Sequence, residues 1–399
     1  MQLCADFNTL PMGTFKASNG QVFTMPDNQR HCEISNQQTV FFQSSNIPSN
    51  AINGGQVEFK VQTAPLHDVR RMYLQLAITN TDGTNTVTLA NAHHLIQKVQ
   101  IYAENGNKQI GGDIYGHKLW LSQAIMYTSD EWTDQCEVTN CSSSFGAGTA
   151  IPAGATVTYY IPIDCLFSQL DVFFPAIKSD FLVRVFFQPL TASIEAGTGT
   201  PSLTMANLVF QINELSTIEY DQKMAAANSS TITARFTYDA YQSNTFSMGA
   251  SGSYQYQLSG VVGTVDYLLL SVRAATNTAA GQRTLADING SFAILNSAGQ
   301  NIVGGQAIPS RYNRFIQGPY YFDSVVFKTV PVLFWSHSSD PQEVYHHAKL
   351  LGFSGYDGTN QLILNTGTGV ASQAYTVDVY ASVHGTIQIK NGRIEVFNS

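Results

Sequence analysis

Charge is the first thing this 399-residue sequence is short of. Asp, Glu, Lys and Arg together make up 12% of it, about half the share of a typical globular chain. No basic run occurs anywhere. Residues 1–221 carry 10 basic and 19 acidic side chains, and residues 222–399 carry 10 and 9. A duplex backbone is held by clustered lysine and arginine, so direct nucleic-acid binding is excluded as a role. There is no apolar run of about 18 residues and no charged-then-apolar amino terminus, so neither a membrane span nor a secretory signal is expected. Cysteine is sparse and lopsided: Cys4, Cys32, Cys136, Cys141 and Cys165 all fall in the first half. An odd number confined to one half does not make a disulfide framework, and free thiols are expected. Cys136 and Cys141 share one polar stretch, where pairing or metal binding is the alternative.

Motifs of chemistry are equally scarce. The histidine pairs His93-His94 and His346-His347 sit, on a strand reading, with adjacent side chains on opposite faces, so neither pair chelates one ion. Gly249-Ala-Ser-Gly breaks the spacing of a nucleophile elbow. The glycines at 106 and 299 join strand to strand and lack the lysine of a phosphate loop, so they read as turn glycines. No two carboxylates stand out as a glycosidase pair. Tyr159-Tyr160 and Tyr320-Tyr321 are aromatic runs that stack sugars in some proteins, but packing is their commoner use. No catalytic, cofactor-binding or metal-binding residue is assigned, and no cofactor.

What the sequence does have is a repeat. Val99-Gln-Ile-Tyr-Ala-Glu-Asn-Gly-Asn-Lys-Gln-Ile-Gly-Gly112 returns as Phe292-Ala-Ile-Leu-Asn-Ser-Ala-Gly-Gln-Asn-Ile-Val-Gly-Gly305. Gly106, Gly111 and Gly112 fall on Gly299, Gly304 and Gly305 without a gap. Each copy reads as strand, Asn/Gly turn, strand and Gly-Gly pair. Upstream, Tyr73–Ile78 matches Tyr267–Val272, and Val57, Phe59 and Val61 match Tyr254, Tyr256 and Leu258. Three matches in one order indicate duplication.

Period-2 alternation dominates both halves. Residues 1–50 lack a sustained period and read as an extended arm ordered by neighbours. Tyr115–Met126 reads as a short helix, Ser129–Thr149 as a polar loop, and Arg311–Ile316 stands where the first half has its helix. Asn391-Gly392 carries a hairpin turn signature. The expectation is all-β: two tandem eight-stranded jelly rolls, a double jelly roll with short flanking helices. Its parts are an arm at 1–50, a first jelly roll at 51–221, a linker at 222–232 and a second jelly roll at 233–399.

Two patches carry a resemblance. Ala92-His-His-Leu-Ile-Gln-Lys-Val-Gln-Ile-Tyr102 resembles the Ala-Asn-Leu-Val-Gln-x-Val stretch of the tectiviral coat protein. Ile151-Pro-Ala-Gly-Ala-Thr, with Tyr159-Tyr-Ile-Pro162 after it, is similar to that protein's Ile-Ala-Ala-Gly-Ala-Thr run and the strand that follows. The chain thus resembles the double jelly-roll major capsid proteins of the tectivirus and adenovirus lineage, although its arm is not their Gln/Ala-rich helix-former. The resemblance implies a non-enzymatic homotrimer, a pseudo-hexagonal capsomer tiling an icosahedral shell in the virion and made in the host cell interior. Neighbouring capsomers, penton and minor capsid proteins and an internal lipid membrane are the partners it implies. The alternative from another class is a two-domain carbohydrate-binding or carbohydrate-active β-sandwich protein.

Overall fold

The computed structural model describes residues 14–16, 22–24 and 34–399, except 45, 50, 62–66, 104–107, 140–147, 170–179, 216–220, 222–223, 226–227, 229–230, 277, 323–329, 391–392 and 399. Gly106, Cys4, Cys32, Cys141, the Asn391-Gly392 turn and much of the 222–232 linker therefore lie outside the described residues.

Alternating apolar residues build the first barrel from eight strands: β1 (Ile34–Gln43), β2 (Gln56–Val61), β3 (His67–Asn80), β4 (Ile96–Ala103), β5 (Ile114–Tyr115), β6 (Thr156–Pro162), β7 (Phe181–Phe187) and β8 (Pro201–Leu215). One sheet runs β6-β3-β8-β1. The facing sheet runs β2-β7-β4, with β5 against β4. In β7 the side chains of Phe181, Val183, Val185 and Phe187 point into the core and the residues between them point outward, the period of a half-buried strand. Leu74, Leu76 and Ile78 of β3 meet them from the other sheet. Each such fully buried side chain contributes about 1.5–3 kcal/mol of transfer free energy.

The second barrel repeats this plan strand for strand: β9 (Ile232–Met248), β10 (Ser253–Gln257), β11 (Val262–Ala274), β12 (Ser291–Leu295), β13 (Ile308–Pro309), β14 (Leu333–Ser336), β15 (Gln361–Asn365) and β16 (Gln373–Lys390). Its sheets run β14-β11-β16-β9 and β10-β15-β12-β13. Each strand thus sits where the one eight before it sits in the first barrel. Register agrees as well: Val99 pairs with Ile114, and its repeat counterpart Phe292 pairs with Ile308. The fold is a double jelly roll, and the duplication seen in the sequence is a duplication of topology.

Three features depart from the expectations. The strand β1 falls in the span read as an arm, yet its backbone pairs with β8 from Asn207↔Gln43 to Leu215↔Ile34. It is the eighth strand of the first barrel, hidden in the sequence by a run of Asn and Gln. Second, Ser129–Thr139 is a helix rather than loop. Thr128 and Glu131 form a capping box, the Glu131 amide donating to Thr128 Oγ1 at 3.3 Å and the Thr128 amide to Glu131 Oε2 at 3.0 Å, and such a box satisfies two otherwise orphaned amides. Third, the two halves do not keep their cores apart. Phe236 from β9, Ile387 and Ile389 from β16, and Ile394 from the terminal strand β17 (Arg393–Asn398) are buried in the first barrel's core.

Candidate functional site

A third cluster of buried residues lies along the seam between the barrels. After β5 the chain turns into α2 (Gly116–Met126), whose Gly116 faces the carbonyls of His93 and Ile96 so closely that a Cβ would stand 2.1 Å from the first. Only glycine fits there. The helix lies on the outer face of the second barrel's sheet β14-β11-β16-β9, where Trp120, Leu121, Ile125 and Met126 bury against Tyr267, Leu269, Phe334 and Tyr380. The next helix, α3 (Ser129–Thr139), adds Trp132, Cys136 and Thr139, spaced four and three residues apart on its buried face, the spacing of one helix side.

Polar pairs are set into this apolar seam. Lys118 Nζ of α2 meets Asp239 Oδ1 of β9 at 3.0 Å. Burial works against the lysine's charge, but Asp239 outweighs it and holds the ammonium above its ordinary value. Deeper in the second barrel's sheet, Arg273 Nε donates to Asp378 Oδ2 at 2.7 Å, and Tyr241 Oη donates to its other oxygen at 2.7 Å. The Tyr241 ring lies 4.3 Å from Tyr115 of the first barrel and 4.9 Å from Tyr380, centroid to centroid, and the second distance is that of a favourable ring pair. Arg283 reaches back to Glu195 of the first half at 2.8 Å. Gln169 bridges too, donating to Thr237 Oγ1 at 2.7 Å and to the Tyr345 carbonyl at 2.9 Å.

Both histidine pairs are helical, which corrects their reading as strand residues. His93 and His94 lie in the short helix α1 (Ala92–Leu95), where the Asn91 side chain caps the turn by accepting from the His94 amide. Gln123 donates its Nε2 to the Pro162 carbonyl and to Asp164, so its Oε1 accepts, and His93 Nε2 carries the proton in their 2.7 Å contact. His94 Nε2 lies 3.1 Å from His117 Nδ1, and His117 Nε2 lies 3.3 Å from Ser271 Oγ across the seam. Burial pushes His93 down to about 4 and His117 to about 3, so both are neutral and structural. His346 and His347 end α4 (Pro341–His347), exposed.

A cleft of about 620 Å³ opens beside α3 and α4, lined by Arg71, Tyr73, Tyr127, Glu131, Asp134 and His346 among others. Two of its acids are already engaged: Glu131 caps the first turn of α3 through Thr128, and Asp164 accepts from Gln123 and from the Tyr345 hydroxyl. Among the described residues no group of three or more His, Cys, Asp or Glu is placed to hold a metal ion. Burial pushes the Cys165 thiol up to about 12, which leaves it unreactive at neutral pH. Tyr159 is a core residue at 1% exposure, while Tyr160 and Tyr320 stand out at 39% and 82%. Ser251 of Gly249-Ala-Ser-Gly sits in the turn between β9 and β10 with φ of 56°.

The seam partners escaped sequence reasoning because they are far apart along the chain, 88 residues for Arg283 and Glu195 and 68 for Gln169 and Thr237. No local spacing marks them.

No family model matches the sequence, and no curated protein matches it either. Solved structures do. The VP54 protein of PBCV-1, fitted into a reconstruction of the virophage Sputnik, is 14% identical and aligns over 94% of this chain and 99% of its own with a TM-score of 0.67. The Faustovirus major capsid protein is 9% identical over 92% of this chain and 93% of its own, with a TM-score of 0.63. The mavirus major capsid protein is 13% identical over 100% and 95%, with a TM-score of 0.52. Identity this low speaks for architecture alone: over its described residues, this chain has the double jelly-roll fold of those capsid proteins.

Proposed function

We propose that the protein is the major capsid protein of an icosahedral virus, three copies forming a pseudo-hexagonal capsomer that tiles the shell. The observation that carries this is the strand-for-strand repetition of one barrel within one chain, matched over more than nine-tenths of its length by capsid proteins. Two like barrels per chain give a three-fold assembly six like lobes, so an object with three-fold symmetry fills a six-neighbour position. Low charge favours such lateral contacts, because neutral polar surface costs less to desolvate than ionised surface.

On this reading the role is structural, with no catalytic, cofactor or metal residues, and the protein is made inside the host cell and resides in the virion. Penton and minor capsid proteins and an internal membrane are its further partners, beside neighbouring capsomers. The carbohydrate-binding alternative finds no support among the similar structures. Light scattering and electron microscopy of the purified protein test the proposal. Trimers of hexagonal outline are expected, and a stable monomer at micromolar concentration would overturn it.

A further inference from the structure

The seam inside the chain has a missing twin. In the first half, α2 follows β5 and buries on the second barrel's outer sheet. In the second half, the helical segment 310–321 follows β13 at the same place in the repeat, and Gly116 falls on Ser310. At that offset Leu121 and Met126, 1% and 2% exposed in the seam, correspond to Phe315 and Tyr320, which are 45% and 82% exposed. Tyr312 and Ile316, 49% and 58% exposed, extend the same patch.

On the opposite side of the twin one aromatic stands exposed beside two buried amides, Gln75 at 9% and Asn207 at 7%. Strand pairing fixes the correspondence: Tyr267 pairs with Ser336 as Tyr73 pairs with Pro162, and Leu269 pairs with Tyr380 as Gln75 pairs with Asn207. Phe334 and Tyr380, buried beneath α2, therefore correspond to Tyr160 and Asn207 on the first barrel. Tyr160 is 39% exposed, and it accepts from Gln75, which in turn accepts from Asn207. That face presents an aromatic hydroxyl beside two amide side chains.

The Gly-Gly pairs agree. A Cβ on Gly112 would stand 2.4 Å from the Asp239 carbonyl of β9, so the first pair is pressed against the second barrel. Its counterpart Gly305 has nothing within 4 Å. Since Asp239 pairs with Ser382 as Phe41 pairs with Val209, the surface missing from Gly305 is strand position 41 of a first barrel.

We infer that the segment 310–321 of one copy docks on the outer face of the sheet β6-β3-β8-β1 of the next copy, repeating between chains the seam that α2 makes within one. The occupant is a second copy of this chain because the chain itself already seats the equivalent helix on the equivalent sheet. The contact is heterologous, and closing it on itself gives a ring. This rests on the trimer proposed above, and it names the surface that makes the trimer.

Lys118 and Asp239 meet across the internal seam, so their counterparts, positions 312 and 41, meet between copies. The test combines sedimentation of Phe315→Asp/Tyr320→Asp with thiol cross-linking of Tyr312→Cys/Phe41→Cys by a short bis-maleimide. Expected are monomers of unchanged urea midpoint for the first. For the second, trimers covalently closed on a denaturing gel are expected, with neither single cysteine variant cross-linking to that product. If the native protein is trimeric but the aspartates leave it so and the paired cysteines give no covalent trimer, the docking surface is wrong while the capsomer stands. A monomeric native protein removes both.

Discussion

Lys118 and Asp239 face each other across the two barrels at 3.0 Å, with 7% and 9% of their side chains exposed. One comes from the helix after β5 and the other from the first strand of the second barrel, so the pair ties the halves together at a nearly buried point. Replacing one partner leaves a buried charge uncompensated, a loss of about 3–5 kcal/mol. Lys118→Met is expected to lower the urea midpoint steeply. Lys118→Met/Asp239→Leu is expected to recover most of that loss, since an apolar pair of similar volume avoids the desolvation of both ions. A loss in the double variant equal to the sum of the Lys118→Met and Asp239→Leu losses would show that the pair is not coupled.

The buried histidines set the acid limit of the fold. An ordinary histidine titrates near 6.5, and burial pushes His93 to about 4 and His117 to about 3. As pH falls through 6.5 the unfolded chain takes up protons that the folded chain refuses. Their contribution is therefore complete above pH 6.5 and is lost as pH falls, down to about 4 for His93 and about 3 for His117. Each costs on the order of 1.4 kcal/mol per pH unit inside that window. His117→Gln is expected to flatten the fall of unfolding free energy between pH 6 and pH 4 by about one proton, measured by urea titration at several pH values. An unchanged slope would place the acid sensitivity elsewhere.

The two Gly-Gly pairs separate contact from conformation. Gly112→Ala drives a Cβ into a backbone carbonyl, and a backbone atom gives way less easily than a side chain, so a loss of about 1–3 kcal/mol is expected. Gly305 has φ of 78° and open space around it, so Gly305→Ala meets only the left-handed strain, about 1 kcal/mol. Urea unfolding of the two variants measured as monomers compares them directly. A larger loss at 305 than at 112 would contradict the close approach at the seam.

Much of this architecture is written locally, and some of it is not. The alternation in Phe181–Phe187 and the matched Asn/Gly turns made the strands and their duplication legible, because a strand's side-chain period and a turn's positive φ are properties of neighbouring residues. The helix at 129–139 reads as loop because its composition is polar, and the signal that marks it is the Thr128–Glu131 capping box. His93 and His94 looked like strand residues because β4 begins immediately after them at Ile96, and only the Asn91 cap marks the turn. The seam pairs were not legible at all: which lysine meets which aspartate depends on how two barrels dock, and no spacing along the chain encodes that.

The strand β1 gives the sharpest test of where the first barrel begins. Its residues are Asn- and Gln-rich, which hides it, but it closes one edge of the sheet by pairing along β8 from Gln43 to Ile34. Removing residues 1–45 deletes this strand and bares the backbone of β8, and an unpaired strand edge beside a formed core invites association with other chains. That truncation is expected to aggregate or to lose its cooperative transition. Removing only residues 1–25, which takes away the hairpin Thr14–Lys16 with Val22–Thr24 but keeps β1, is expected to leave the urea midpoint unchanged. Circular dichroism and sedimentation on both truncations decide it: a soluble, cooperatively folding chain beginning at residue 46 would show that the barrel stands without its eighth strand.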